Sequence, residues 1–236
     1  MSTINLSKQT INLSKGDKVN LSKQAEGLKK IMVGLGWDPV DKSDAQYVEE
    51  TVQPGFLGRL FGAKEKTIRT RVDNRHAQDI DCDAWLALLE DGIYTESNSV
   101  VYYGNKQFYN DGELVILHHG DNLTGEGDGD DEQISIDLSK LPSRYNSIVV
   151  GVTIYQGKSR NQSFGSIKNT FIRVVDEKDN FEICRFNQAD MAEDKDAITF
   201  IAGKLYKDKG EWQFTAIGKC TKDGSISDAV SHYKYK

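Results

Sequence analysis

The run Ser147-Ile-Val-Val-Gly-Val-Thr-Ile-Tyr155 is rich in β-branched residues, which favour strands. Short runs of the same kind recur from Ile80 onward, separated by turns rich in Gly, Asn and Asp. The other runs are Ala84–Leu89, Ser99–Tyr103, Glu113–Leu117, Gln133–Asp137, Thr170–Val175, Phe181–Phe186, Ala197–Tyr206 and Glu211–Ile217. This pattern predicts an all-β fold, a two-sheet β-sandwich with few short helices.

The N-terminal part of the chain adds further strand signals. Lys30-Ile-Met-Val-Gly-Leu-Gly-Trp37 predicts a strand whose glycines permit a bulge or close backbone approach, and Asp38-Pro39 ends it. Two Asn-Leu-Ser-Lys copies flank Lys15-Gly-Asp-Lys18, which predicts an opening β-hairpin. Helical structure is expected only as a short turn in residues 157–169 and weakly after Asp228.

Length and composition favour one principal domain. The 236 residues are 38% hydrophobic and 28% charged, and they contain no apolar run near the ~20 residues that span a bilayer. We predict a single domain over residues 1–236, with an inserted loop or hairpin at about 40–78 and a short tail at about 220–236. The first residues lack a basic leader and an apolar core, so a cytoplasmic location is expected.

The negative charge of the chain is concentrated in one segment, Asp121-Asn-Leu-Thr-Gly-Glu-Gly-Asp-Gly-Asp-Asp-Glu132. The net charge is −6, and this segment alone carries six carboxylates and no lysine or arginine. Such crowding requires counter-charge, and it argues against direct nucleic-acid binding. Glycines that turn the backbone sharply and offer carbonyls suit calcium, which takes six to eight oxygen ligands.

The same segment departs from better-known ligand loops. An EF-hand register starting at Asp121 puts Leu123 and Gly125 at ligand positions, and one starting at Asp128 puts Gln133 where glycine is required. P-loop and dinucleotide motifs place neutral amides and a lysine beside phosphate, whereas acids stand here. The segment therefore predicts another calcium geometry.

A second acidic row, Asp79-Ile-Asp-Cys-Asp83, opens the strand at Ala84–Leu89. Because side chains alternate along a strand, Asp79, Asp81 and Asp83 share one face, and Ile80 and Cys82 point inward. Like charges in a row are destabilising unless they are splayed, hydrogen-bonded or bound to a cation. Surface decoration is the alternative interpretation.

Other chemistries have weaker signals. His118 and His119 adjoin the acidic segment, but neighbours on a strand face opposite ways, so both would rarely hold one zinc ion. We expect His119 to line the site and His118 to belong to the sheet. The three cysteines, Cys82, Cys184 and Cys220, show no metal spacing and are interpreted as reduced packing residues.

We find no catalytic constellation in the sequence, and a GxSxG motif is absent from it. The alternative to a non-enzymatic protein is a metal-dependent nucleotide- or phosphate-binding protein or phosphoryl-transfer enzyme. Residues 54–66 carry Phe56, Leu57, Leu60 and Phe61 beside basic residues and form a candidate docking element for a membrane-associated complex. An aromatic hairpin tip packed on the domain is the competing interpretation.

Several of these motifs together resemble the TerD family of tellurite-resistance proteins. The acidic segment with Gln133-Ile-Ser-Ile-Asp-Leu-Ser-Lys140 is the most specific, and the resemblance covers nearly all of residues 10–219. Further landmarks are Leu13-Ser-Lys-Gly16, Val33-Gly-Leu-Gly-Trp-Asp38, Asp81-Cys-Asp-Ala84, Val101-Tyr-Tyr103, Asn161-Gln-Ser-Phe-Gly165 and Phe171-Ile-Arg-Val174.

The resemblance implies a calcium-binding β-sandwich of the bacterial cytoplasm, linked to stress resistance through protein partners and without an established enzyme activity. By position, Asp81 and Asp83 match the family's paired aspartates. The positions that match its loop are Asp121, Asn122, Thr124, Gly125, Glu126, Asp128, Gly129, Asp130, Asp131 and Glu132. This chain departs from the family in the roughly forty residues between Gly-Trp-Asp38 and the paired aspartates, and in Asp79, Cys82 and Trp85.

Overall fold

The computed structural model describes residues 8–38, 46–52, 66–72, 79–120, 129–187 and 194–234, with 46–52 and 66–72 described by their backbone. The strands are β1 (Ile11–Leu13), β2 (Lys18–Asn20), β3 (Lys30–Asp38), β4 (Gln46–Val52), β5 (Lys66–Val72), β6 (Cys82–Leu89), β7 (Val100–Val101), β8 (Gln107–Asn110), β9 (Glu113–His118), β10 (Glu132–Asp137), β11 (Ser147–Ile154), β12 (Lys168–Asp176), β13 (Phe181–Asn187), β14 (Thr199–Asp208) and β15 (Glu211–Thr221). The helices are α1 (Leu21–Gln24), α2 (Gly157–Arg160) and α3 (Ile226–Ser231).

The chain divides into two compact units. The smaller, Val40–Asp79, contains the antiparallel pair β4 and β5. The larger, formed by the rest of the chain, is described separately below. The assignment of residues 1–236 to one domain stays a prediction. No helix in the described part of the chain is long and apolar enough to cross a membrane.

The larger unit is a sandwich of two sheets, which confirms the predicted fold class. One sheet has seven strands in the order β1-β13-β12-β3-β10-β9-β8, and the other has six in the order β2-β15-β14-β11-β6-β7. Large apolar side chains fill the space between them: the rings of Phe186 on β13 and Phe200 on β14 lie 6.0 Å apart between centroids. Burial of this apolar surface is the main force holding the sheets together.

Strand β6 is buried along its whole length. Its outer-facing residues Trp85, Ala87 and Leu89 pack with Ala229 and Val230 of α3, so the C-terminal helix covers this face of the six-stranded sheet. The helix begins at Ser225, whose side chain accepts a hydrogen bond from the backbone N–H of Asp228. This helix is better defined than the weak helical character predicted after Asp228.

The opening hairpin is a wrong prediction. The turn exists, with Asp17 N donating to Ser14 O at 3.0 Å, but β1 pairs with β13 in one sheet and β2 pairs with β15 in the other. The turn therefore links the two layers, because each strand finds a partner far away in sequence. The Ser99–Tyr103 strand shrinks to the two residues of β7, and β8 was not predicted.

Candidate metal centre

The end of the acidic segment, Gly129–Glu132, lies against β3. Asp131 N donates to Leu35 O at 2.8 Å, and Trp37 N donates to the Asp131 carboxylate at 2.8 Å. A Cβ atom at Gly36 would lie 2.6 Å from the Gly129 carbonyl oxygen, and one at Gly34 would lie 2.4 Å from the Asp130 carboxylate. The glycines of β3 therefore allow the close approach that the sequence predicted.

Asp130 is held by an arginine from the neighbouring strand. Register places Arg173 on β12 opposite Gly34, and its guanidinium donates to both Asp130 oxygens, at 2.7 and 2.9 Å. The hydrogen bond to Asp130 is the main cause that raises the pKa of Arg173. Arg173 also donates to Glu182 at 3.0 Å, and Glu182 accepts from Arg185. A two-bond, charge-assisted contact of this kind is strong and directional.

Glu132 connects the acidic segment to β6 across the sandwich. Its side chain is fully inaccessible to solvent, and Oε2 accepts a hydrogen bond from Ala84 N at 2.5 Å. The His118 ring lies beside it, with Nε2 3.8 Å from the same oxygen. The Nδ1 atom of His118 accepts from Gly120 N at 3.3 Å, so a proton on the ring belongs on Nε2, the nitrogen that faces Glu132.

His118 belongs to the sheet, as expected, because it ends β9, but it is His118 and not His119 that lies beside Glu132. His118 is buried next to Glu132, whereas His119 is exposed and lies 2.7 Å from the Ser135 hydroxyl. Their opposite orientations were predicted correctly, but which of them faces the site depends on the pairing of His118 with Ile134 on β10. Sequence alternation alone does not fix that register.

Cys82 shows that the two acidic stretches meet. Burial raises the pKa of the Cys82 thiol well above its usual range, and the negative charges of Glu132, Asp83, Asp81 and Asp131 raise it further. Asp81 and Asp83 come from the start of β6, and Asp131 and Glu132 come from the end of the acidic segment. The start of β6 and the end of the acidic segment are therefore close in space, and the hydrogen bond from Ala84 N to Glu132 joins them.

The other predicted metal residues lie at the edge of the described structure or outside it. Asp79 is half-buried and is the last residue of the smaller unit. Gly129 has φ +103°, which glycine adopts without strain. Outside the described residues lie Asp121, Asn122, Thr124, Gly125, Glu126 and Asp128.

In the described part of the chain, no group of three or more His, Cys, Asp or Glu side chains is arranged to hold a metal ion. The predicted ligand set therefore stays a prediction.

A serine, a histidine and a glutamate meet on the exposed side of the seven-stranded sheet, but they do not form a catalytic triad. The Ser135 hydroxyl donates to Glu177 and lies against the His119 ring. In a triad the histidine stands between the serine and the acid, so that it can take the serine proton. Here serine stands in the middle, and the arrangement links β10 to the end of β12. All three cysteines are free, and Cys82 and Cys184 are buried, as predicted.

The fold and this site define a class of protein: a β-sandwich whose acidic, glycine-rich segment ends between a Gly-x-Gly strand and an Asp-x-Asp strand. The chain belongs to the TerD domain family, which matches residues 9–233. It is 38% identical to stress response protein SCP2 of Bacillus subtilis, over 94% of this chain and 98% of that one.

A second relative is tellurium resistance protein TerD of Serratia marcescens, 34% identical over 89% of this chain and 90% of that one. Among solved structures, a homologue of telluride resistance protein from Streptomyces coelicolor matches with a TM-score of 0.54 and 18% identity, over 86% of this chain and 96% of that one. At that identity the likeness shows the fold alone. The relatives carry names of stress-response and tellurium-resistance proteins.

Proposed function

We propose that this protein binds calcium without catalysing a reaction, and that the ion joins the acidic segment to β6 as part of tellurite or chemical stress resistance. The candidate ligands are Asp81, Asp83, Asp131 and Glu132, and the hydrogen bond from Ala84 N to the Glu132 carboxylate, which joins the end of the acidic segment to β6, carries the proposal. These donors are hard carboxylate oxygens, which suit Ca²⁺ and Mg²⁺ better than zinc. Residues 121–128 would supply the remaining oxygens.

The chain's own residues prepare the site in two ways. Ala84 and Trp37 hold Glu132 and Asp131 through backbone N–H groups, which fixes the directions of these carboxylates without neutralising their charge. Arg173 anchors the adjacent Asp130 and so fixes where the segment reaches the sheet. Pre-positioned carboxylates lose less conformational entropy when an ion binds.

Calorimetric titration of chelator-treated protein with calcium tests the proposal. An ion that binds only the folded state adds about 2.7 kcal/mol at a hundredfold excess over Kd. For a chain of this size that corresponds to a rise of about 5–10 °C in Tm. Absence of both the binding heat and the Tm rise would refute calcium binding.

Two variants make the test specific. Asp83→Asn removes a carboxylate from the group around Cys82 and should abolish most of the binding heat. Asp137→Asn is the matched control, because Asp137 is also buried but lies at the far end of β10 beside Lys30, with their charged atoms 3.8 Å apart. Equal loss of calcium binding in both variants would show that the effect is not local.

We also propose that the protein is cytoplasmic and acts through protein partners in a stress-response complex, with residues 54–66 as the docking element. Residues 54–65 of this element lie outside the described residues. Deletion of residues 54–66 should leave the calcium titration unchanged and reduce recovery of the protein with the membrane fraction of stressed cells. Unchanged recovery would remove this element from the proposal.

A further inference from the structure

A cavity of about 500 Å³ opens on the outer face of the six-stranded sheet. It lies where the cover over β6 ends: Trp85 packs under α3, whereas Asp83, two residues earlier on the same face, lines the cavity. Thr153, which pairs with Asp83 on β11, also lines it. Both residues are almost fully buried, so they form the floor. The volume is in the range of small-molecule sites, about 300–1,000 Å³.

The hydroxyl hydrogens next to this floor have fixed directions. Thr199 donates its hydroxyl hydrogen to the Asp223 carbonyl oxygen at 2.9 Å, so in the 2.9 Å contact between the two threonine hydroxyls Thr153 is the donor. Trp85 Nε1 donates to the Thr153 oxygen at 3.0 Å. Because Thr153 gives its hydrogen to Thr199, it meets a ligand only as an acceptor, as the Asp83 carboxylate does. The floor therefore suits a group that is rich in N–H donors.

Tyrosines form one wall of the cavity. Tyr102 and Tyr103 meet edge to face at 5.2 Å between ring centroids, and Tyr103 meets Tyr155 in the same way at 5.8 Å. These contacts hold the rings at right angles and fix their positions. The faces of tyrosine rings attract cations, and the Arg160 guanidinium lies 5.3 Å from the Tyr155 centroid. The wall therefore suits an aromatic ring that carries a positive group.

The formal charges at the cavity balance, but they differ in burial. Asp83 is 3% exposed, whereas Lys234, which also lines the cavity, is an exposed residue. Charges interact more strongly where water is excluded, and an exposed ammonium group is screened by water and salt. An adjoining chamber is lined by two lysines and two aspartates, which offset one another. The floor of the cavity is therefore negative, and the exposed part of its lining carries a positive group.

We infer that this cavity binds a small aromatic amine, with its ammonium group on Asp83 and Thr153 and its ring against the tyrosine wall. An ammonium group has three N–H donors and no acceptor, which matches a floor that only accepts. A carboxylate on the same ligand would lie towards Lys234, so the shared chemistry covers simple aromatic amines and aromatic amino acids. The inference goes beyond calcium binding and needs no bound ion.

Calorimetric titrations of the full chain with matched probes test the charge preference. Phenethylamine, 2-phenylethanol and 3-phenylpropionate share a phenyl ring and end in a positive, a neutral and a negative group. All titrations contain chelator, because Asp83 is also a candidate calcium ligand. We expect phenethylamine to bind about tenfold more tightly than the other two, since hydrogen bonds between charged groups are the stronger ones. Equal or tighter binding of the alcohol or the acid would overturn the inference.

Asp83→Asn tests the floor of the cavity. It should weaken phenethylamine binding about tenfold and leave 2-phenylethanol binding unchanged, because only the amine uses the charge of the carboxylate. Asp137→Asn is the matched control: Asp137 is also buried but ends β10 in the other sheet, so both affinities should stay as in the parent. Parent-like affinity of Asp83→Asn for phenethylamine would overturn the inference.

A second variant guards against misfolding of the first. Ser227 is exposed on α3 and lines the cavity, so Ser227→Trp should block phenethylamine while the circular-dichroism melt stays cooperative. Undiminished binding in this variant would place the amine elsewhere and overturn the inference. Phenylalanine then identifies the source of the ligand. Tighter binding than phenethylamine, lost in Lys234→Gln, indicates an aromatic amino acid, and weaker binding indicates an amine without a carboxylate.

The outcomes separate this inference from calcium binding. Absence of calcium heat would refute the proposed function and leave the amine titrations unaffected, since they contain chelator. Normal calcium heat without a preference for phenethylamine would overturn the amine site and leave the proposed function standing.

Discussion

Asp130 and Glu132 lie two residues apart, and both side chains are inaccessible to solvent, yet their charges are balanced differently. Asp130 receives two hydrogen bonds from the charged guanidinium of Arg173. Glu132 receives a neutral backbone N–H from Ala84 and belongs to the group of four carboxylates around Cys82. One acid is therefore a fixed structural contact, and the other adds to a concentration of negative charge that suits a divalent cation.

Replacing Arg173, which binds Asp130, should cause the largest loss in the free energy of unfolding. Arg173→Met leaves the Asp130 carboxylate buried without its guanidinium, and breaking a buried ion pair typically costs about 3–5 kcal/mol. Urea denaturation at neutral pH, with chelator present, measures the change in the free energy of unfolding. A loss below 1 kcal/mol would mean that Asp130 does not depend on Arg173.

Arg185→Met is the matched control for that experiment. Arg185 has a similar exposure and also binds Glu182, at 3.0 Å, and its guanidinium lies 3.9 Å from the Phe171 ring centroid. Among the described residues Arg185 binds Glu182 and not Asp130, so its loss should cost only about 1 kcal/mol. The double variant Asp130→Asn with Arg173→Met should recover part of the loss, because the charge that needs compensation is then absent.

The second prediction concerns the close contact between the acidic segment and β3. Gly36→Ala places a methyl group 2.4 Å from the Phe171 ring and 2.6 Å from the Gly129 carbonyl oxygen, so the segment must shift. Overpacking of this kind costs about 1–3 kcal/mol. The displaced carboxylates should also weaken calcium binding. Gly120→Ala is the control, because a Cβ there meets no atom of the described residues within 4 Å. Equal effects of the two changes would contradict this account.

Local patterns predicted the parts of the fold that depend on neighbours in sequence. The β-branched runs identified β3, β6 and β11. The acidic, glycine-rich composition predicts a cation site at 121–132, which stays a prediction. The turn at Gly16 was also identified, but a turn does not reveal whether its two strands pair with each other. Here β13 and β15 take them into different sheets.

Contacts between residues that are far apart in the chain could not be predicted from the sequence. Arg173 and Asp130 are 43 residues apart and meet because β12 and β10 both flank β3. His118 faces the carboxylates instead of His119 because of one register between β9 and β10. The cavity beside Asp83 needs α3 to fold back over β6. Each depends on strand order, which side-chain periodicity does not encode.

The smallest expected effect is on the pH dependence of stability. It tests whether acids that are held by arginine, such as Asp130 and Glu182, differ from the carboxylates near Cys82. Burial opposes ionisation of Glu182, but hydrogen bonds from Arg185 and Arg173 prevail and lower its pKa. Because the folded pKa lies below the unfolded one, Glu182 contributes stability at neutral pH that is lost as the pH falls through the folded pKa. Glu182→Gln should therefore be less stable than the parent at pH 6.5, with a smaller difference in strong acid.

Urea denaturation across the acid range measures that difference. Glu113→Gln is the control, since Glu113 is mostly exposed and pairs with Lys140 at 3.3 Å on another edge of the sheet. An exposed pair of this type contributes about 0–1 kcal/mol. In Arg173→Met the pH effect of Glu182→Gln should shrink but persist, because Arg185 still holds Glu182. An unchanged pH effect in that background would show that Arg173 serves Asp130 alone, and that the compensated acids do not act as one network.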